Sequence, residues 1–227
     1  MSGSIHAVAV IPAFNEAATI GQVVEGLRGQ VDHILVVDDG STDVTASVAR
    51  RAGAEVLAHG TNRGKGHAVR SAIEWLATRD FTHALILDGD MQHLPSEAHL
   101  LLEAAARTGV DMVLGQRRFE RQAMPASRYY ANRLGSRALS RFVGSRFSDT
   151  QCGFRVVRVD ALRGIRLRAR GYEIETEMLV KLSRRRARIT TVPVTAVYAG
   201  QRSKLRPVRD TTRTCFLAVF YRFIERL

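Results

Sequence analysis

Residues 84–93 read ALILDGDMQH, an apolar run that ends in two aspartates one residue apart, then a glutamine and a histidine. On an extended segment alternate side chains share a face. The carboxylates of Asp88 and Asp90 and the amide oxygen of Gln92 would then meet at one point beyond the strand. Hard divalent cations such as Mg2+ or Mn2+ take such oxygen ligands and keep places for water and substrate phosphates. The plainer alternative is that the aspartates end a strand and cap the next helix. The apolar lead LILD and the glycine between the carboxylates, Gly89, tip the balance to the metal.

Three further turns carry polar residues. In PAFNE, Pro12 stiffens a strand exit, while Asn15 and Glu16 supply acceptors for a ribose or a base, or else an N-cap. DDGSTD, residues 38–43, is either an ordinary Asp/Gly/Ser turn or a place where Asp38 or Asp39 accepts the N–H edge of a nucleobase; Ser41, Thr42 and Asp43 suit a helix cap. NRGKGHAV is not a Walker A motif, since three residues separate Gly60 from Gly64-Lys65 and Gly66 follows the lysine. Gly64 and Gly66 nevertheless open the backbone near a helix start, where anions are favoured, and Lys65 adds a positive charge. No G-x-G-x-x-G follows the first strand, which weighs against a dinucleotide oxidoreductase.

These turns sit at the ends of regular elements. Apolar runs at 6–11, 33–38, 54–58, 82–88 and 111–115 alternate with helical patterns at 16–27, 44–52, 64–77 and 96–107, where Ser96 after Pro95 opens the last helix. Strand and helix in alternation predict an α/β fold with a mostly parallel sheet and helices on both faces. Ligands in such sheets lie beyond the carboxyl ends of the strands, where all four polar turns fall. After residue 116 the alternation stops. Helices are expected over 127–144, 171–186 and 211–227, and short strands within 148–158 and 189–197. No linker divides the chain, so a single domain is expected over 1–227, in two parts that meet at about residue 115.

Composition narrows the function classes. Lys and Arg number 34 against 22 Asp and Glu, a formal charge of +12 and a pI near 10.8, which implies acidic partners. The arginines cluster after residue 115, in GQRRFERQ, LRGIRLRARG and KLSRRRARI, whereas residues 1–48 hold Arg28 alone. The run SRRRAR reads equally as a solvated helix end or a lipid-phosphate contact. Cys152 and Cys215 have neither metal nor disulfide spacing, which points to a reducing cytoplasm and to Cys152 as a small buried residue. The apolar stretch near the N-terminus is about six residues long against the ~20 of a membrane span, so neither secretion nor an integral anchor is expected. Oligomeric state leaves no signature.

Taken in order, P-x-F-N-E, D-D-G-S-x-D, N-x-G-K-G, D-x-D-x-Q-H and S-D-x-x-C-G-F-R resemble the family-two glycosyltransferases of GT-A fold, in particular the dolichol-phosphate mannosyltransferase-like, polyprenyl-phosphate branch. The resemblance runs from about residue 6 to 206, and it implies a nucleotide-sugar half to about 115 and an acceptor half beyond. It implies that Pro12, Phe14, Glu16, Asp38 and Asp39 hold the nucleoside, with Lys65 and Gly89 near the nucleotide sugar. It implies that Asp88, Asp90 and Gln92 bind Mg2+ or Mn2+ bridging the sugar diphosphate. Arg117 and Arg128 match the basic residues of the acceptor side, and the last motif falls on Ser148, Asp149, Cys152, Gly153, Phe154 and Arg155. The family's late G-x-S-K-L appears here as AGQRSKLRP, which makes Arg202 and Lys204 candidate diphosphate ligands. Relatives often continue into transmembrane helices; here the last helix, with Phe216, Phe220, Phe223 and Ile224 flanked by Arg213, Arg222 and Arg226, packs on the domain or lies on a membrane surface.

The implied chemistry is inverting transfer of a hexose from a nucleotide sugar to a polyprenyl phosphate, by a cytoplasmic enzyme at the inner membrane face. An ionised lipid phosphate needs holding in line, which Arg117 and Arg128 suit. A hydroxyl acceptor would need a general base, for which Asp149 and Glu175 are the candidates; Glu173 and Glu177 share the other helix face. His93 is read as positioning the metal or acceptor. A sugar nucleotidyltransferase would carry a glycine-rich, basic signature directly after strand one, which this chain lacks, and a nucleic-acid-binding protein would need no acidic rim, nor does a recognisable module of that kind appear.

Overall fold

The computed structural model describes residues 5–117 and 149–197. The helices expected at 127–144 and 211–227, Ser148, and the site candidates Arg128, Arg202 and Lys204 lie outside the described residues.

Within them the elements are β1 (Ala7–Ala13), α1 (Ile20–Leu27), β2 (His33–Asp38), α2 (Thr45–Arg51), β3 (Glu55–Ala58), α3 (Lys65–Leu76), β4 (His83–Ile86), a 3-10 turn (Pro95–Glu97) leading into α4 (Ala98–Thr108), β5 (Met112–Arg117), β6 (Arg155–Arg158), α5 (Val159–Leu162), α6 (Ile174–Arg184) and β7 (Ile189–Val194). The strands form one sheet in the order β3-β2-β1-β4-β6-β5-β7. All neighbours are parallel except β6, which runs against β4 and β5.

Every residue of β1 is buried, as a strand covered on both faces requires. α1 packs on α2 and on the turn that opens α4, while α3 lies against β1, β2 and α6 and α4 against β5 and β6. The edge strands β3 and β7 are only partly covered, and Pro193 sits in β7, where a missing N–H costs least.

Among the described residues the expected elements are present with shifted ends. α1 starts at Ile20, because Asn15 takes a left-handed φ of 53° and Thr19 and Ile20 donate back to Glu16 O in a separate turn. The residue before α2 is Val44, with no side-chain cap, and Ser96 makes no cap for α4. β4 stops at Ile86 and residues 89–90 form a turn followed by Met91 at φ 59°. The extended alternation expected for Asp88, Asp90 and Gln92 is therefore replaced by a turn.

Candidate active site

The parallel strands bring their carboxyl ends to one rim, and antiparallel β6 begins there, with Arg155 facing Ile86 of β4 and Leu114 of β5. Polar turns from both halves of the chain thus meet in one place.

The β1 and β2 turns are laced together by main-chain donors. Asn15 N donates to Ser41 Oγ at 2.9 Å, Glu16 N to Thr45 Oγ1 at 2.8 Å and Ala17 N to Asp43 Oδ2 at 3.2 Å, while Thr42 N donates to Asn15 Oδ1 at 2.9 Å. Asn15 and Ser41 are thereby used in joining the turns, a different task from ligand contact or capping, whereas Asp43 does both, its Oδ1 also accepting from Thr45 N at 2.9 Å at the start of α2. Pro12 lies in register with Val37 inside β1, and half-buried Phe14 and Glu16 line the exit. Thr19 clamps this turn to the next one, its hydroxyl donating to Gly89 O at 2.7 Å, and Gly89 packs against α1, where a Cβ would stand 3.3 Å from Ile20 Cδ1.

Asp38 and Asp39 are both buried. Asp38 Oδ1 accepts from Ser41 N at 3.0 Å. Asp39 faces the N-R-G-K-G turn instead, accepting from Gly64 N at 2.6 Å and Arg63 N at 3.1 Å, with His59 Nδ1 at 2.8 Å. Asp39 thus holds that turn, a contact Asp38 does not make. The glycines of the turn also serve a purpose other than anion binding. A Cβ on Gly66 would meet Ala169 O at 2.1 Å and one on Gly64 would meet Arg170 O at 2.3 Å, and Gly66 N donates to Arg170 O at 2.8 Å. The start of α3 is closed by the 169–170 backbone rather than offered to a phosphate.

That close packing carries Lys65 inward. Its Nζ stands 2.5 Å from Asp88 Oδ1 and also contacts Glu175 Oε1 at the start of α6, with the Tyr172 ring 5.4 Å away. Burial alone would lower the ammonium's pKa, but the two carboxylates outweigh it and hold Lys65 charged; in return its charge overcomes burial and keeps Asp88 below the usual carboxylate range. Asp90 differs: burial and the nearby Asp88 charge push it up to about 6. Its oxygens accept from Gln92 N at 3.0 Å and Gln92 Nε2 at 2.8 Å, so Gln92 presents its amide donor to Asp90.

Arg117 at the end of β5 makes a two-point ion pair with Asp149, Nε to Oδ2 at 2.6 Å and Nη2 to Oδ1 at 2.9 Å. A carboxylate so occupied and fully shielded is a poor general base; Asp149 is a positioning residue for Arg117. His93 is buried between the two clusters, with its ring on Phe154 and Nε2 3.7 Å from Cys152 Sγ; burial and the Arg117 charge lower it to about 4. Cys152 is wholly buried and its thiol is pushed up to about 12, first by burial and then by Asp149, as befits a packing residue. Buried Arg155 binds the carbonyls of Cys152 and Glu175, tying this turn to α6.

The donor set suits a hard divalent ion. Two aspartates and an amide lie within five residues, and the carboxylates crowd one another enough to raise Asp90; Gly153 packs so tightly beneath Asp88 that a Cβ would stand 2.7 Å from its Oδ2. Among the described residues no group of three or more His, Cys, Asp or Glu is placed to hold a metal ion; Asp88 and Asp90 offer two carboxylates.

Several contributors carried little sequence signal. Thr19, His59 and Tyr172 are single residues outside the motifs, and Glu177, buried on α6, receives Arg168 N at 2.9 Å, Ala169 N at 2.7 Å and Lys181 Nζ at 2.8 Å, anchoring the segment that closes over Gly66. Only the helical spacing of the glutamates hinted at it.

Such a rim, with nucleotide-type turns and an acidic pair over a mixed sheet, defines a sugar-nucleotide transferase fold. The profile of glycosyl transferase family 2 matches residues 8–166; the chain belongs to that family and is a glycosyltransferase of GT-A fold. It is 34% identical over 206 residues to glycosyltransferase AglJ of Haloferax volcanii, covering 88% of this chain and 66% of that protein, just under two thirds of its length. It is 33% identical over 206 residues to the undecaprenyl-phosphate mannosyltransferase of Micrococcus luteus, covering 85% and 84%, and 26% identical to the UDP-N-acetylglucosamine–dolichyl-phosphate N-acetylglucosaminyltransferase of Methanococcus voltae, covering 95% and 93%. A glucosyl-3-phosphoglycerate synthase from Mycobacterium tuberculosis, crystallised with Mn2+, UDP-glucose and phosphoglyceric acid, superposes with a TM-score of 0.75 at 24% identity, covering 96% and 80%. Among the described residues no helix is long and apolar enough to cross a membrane.

Proposed function

We propose that this enzyme moves a hexose from a GDP- or UDP-sugar to a polyprenyl phosphate, with inversion at the anomeric carbon and with Mg2+ or Mn2+ bound at Asp88, Asp90 and Gln92. The observation that carries the reading is the placement of Asp88 and Asp90 beside Lys65 at the rim where the β1 and β2 turns join. The lipid-phosphate acceptor rests on the names of the Micrococcus and Methanococcus relatives. Such an acceptor puts the enzyme at the inner membrane face as a peripheral protein.

The side chains divide the work. Pro12, Phe14, Glu16 and Asp38 shape the nucleoside site, and Asp39 holds the turn that presents Lys65. When bound, the cation would neutralise charge growing on the departing diphosphate. Lys65 adds fixed positive charge on the same side, and Arg202 and Lys204 are assigned there by motif. Arg117, kept in one plane by Asp149, and Arg128 hold the acceptor phosphate opposite the leaving group. That phosphate is already ionised, so no base is needed, in keeping with the engagement of Asp149.

Calorimetric titration with UDP- and GDP-sugars, each with and without Mn2+, tests the donor side, and transfer to a short polyprenyl phosphate tests the acceptor. Metal-dependent binding of one nucleotide and product formation are expected. Failure of every nucleotide sugar to bind would overturn the proposal.

A further inference from the structure

We infer that Lys65 and the divalent cation compete for Asp88, and that Glu175 is the residue that keeps Lys65 when the cation takes that carboxylate. The inference rests on the metal reading above and names a positioning pair within the same site.

Three facts support it. Lys65 Nζ is 2.5 Å from Asp88 Oδ1, so one oxygen of the candidate ligand already has a cation on it. The other oxygen faces Gly153, where even a Cβ would stand 2.7 Å away. A cation approaching Asp88 therefore meets Lys65 charge at short range, whichever oxygen it takes. Accessibility sets the direction of exchange: the Asp88 side chain keeps 26% of its surface exposed, whereas Lys65 and Glu175 keep 10% and 11%. The cation enters from the open side, and the ammonium has Glu175 behind it to retain its pairing. Glu175 supplies a second carboxylate on the ammonium, on a different element from the one the cation would take.

The consequence is coupling between ligands. Metal alone must work against Lys65, while a diphosphate offers Lys65 a new anionic partner and lowers that opposition. Nucleotide and metal should therefore strengthen each other's binding reciprocally, and the lysine should account for much of the effect.

The experiment is titration of MnCl2 into the protein, followed by calorimetry or by the electron paramagnetic resonance of free Mn2+, with and without saturating UDP or GDP. K65Q should bind Mn2+ without nucleotide about tenfold more tightly than wild type, bind UDP or GDP without metal more weakly, and show a smaller enhancement of Mn2+ binding by nucleotide. E175Q should weaken Mn2+ binding several-fold, because Lys65 then has Asp88 alone; this variant decides the matter if K65Q does not fold. Saturable Mn2+ binding that neither variant alters overturns the exchange and leaves the metal reading intact. No Mn2+ binding by wild type even with UDP or GDP overturns both.

Discussion

Gly153 lies so close to Asp88 that a Cβ built on it would stand 2.7 Å from Asp88 Oδ2 and 3.2 Å from Glu175 Oε1. Two acidic side chains from distant parts of the chain converge over a residue that has no side chain of its own. Gly153→Ala should push Asp88 out of line, costing about 1–3 kcal/mol of stability and most of the transfer activity. Thermal melting beside a transfer assay checks this; an active Ala variant would show that Asp88 has room to move without consequence.

Asp90 is a carboxylate that the fold holds at some cost, raised to about 6 by burial and by Asp88. Asp90→Asn should reduce transfer by on the order of 10²-fold or more while leaving the melting temperature at or slightly above the wild-type value. A variant that folds and retains full activity would remove Asp90 from the chemistry.

The Arg117–Asp149 pair separates positioning from base catalysis. Arg117→Ala takes the two-point partner from a carboxylate with a side-chain exposure of 0%, and should cost about 3–5 kcal/mol. Asp149→Asn should raise the acceptor KM while keeping the shape of the pH–rate profile. Loss of the acidic limb of that profile would instead mean that Asp149 serves as a base.

Cys152 should be inert in the native protein. With its thiol pushed up to about 12 by burial and by Asp149, the reactive thiolate is scarce at pH 8. Iodoacetamide treatment followed by peptide mass mapping should leave Cys152 unmodified until denaturant is added; labelling at the rate of a free thiol would contradict its burial.

The parallel part of the sheet was legible because β1, β2 and β4 are continuous apolar runs, and a strand buried on both faces can hardly be written otherwise. The direction of β6 was not, since RVVR has the same alternation read either way. Nor does Met91 advertise the φ of 59° that turns the Asp88–Gln92 segment; nothing in a methionine favours that region. The glycines at 64 and 66 were visible, but their reason lies a hundred residues away, in the 169–170 backbone that packs on them. Asp38 and Asp39 look alike in sequence and differ in task, because only one faces the N-R-G-K-G turn.

Arg117 and Asp149 are 32 positions apart, yet they grip each other at the rim. The last residue of β5 and a residue just before β6 are thus fastened by one buckle, while the register of β4, β5 and β6 is set separately by their own ladders. Changes of sequence length between positions 117 and 149 can therefore be absorbed without shifting the sheet, provided that the buckle is kept.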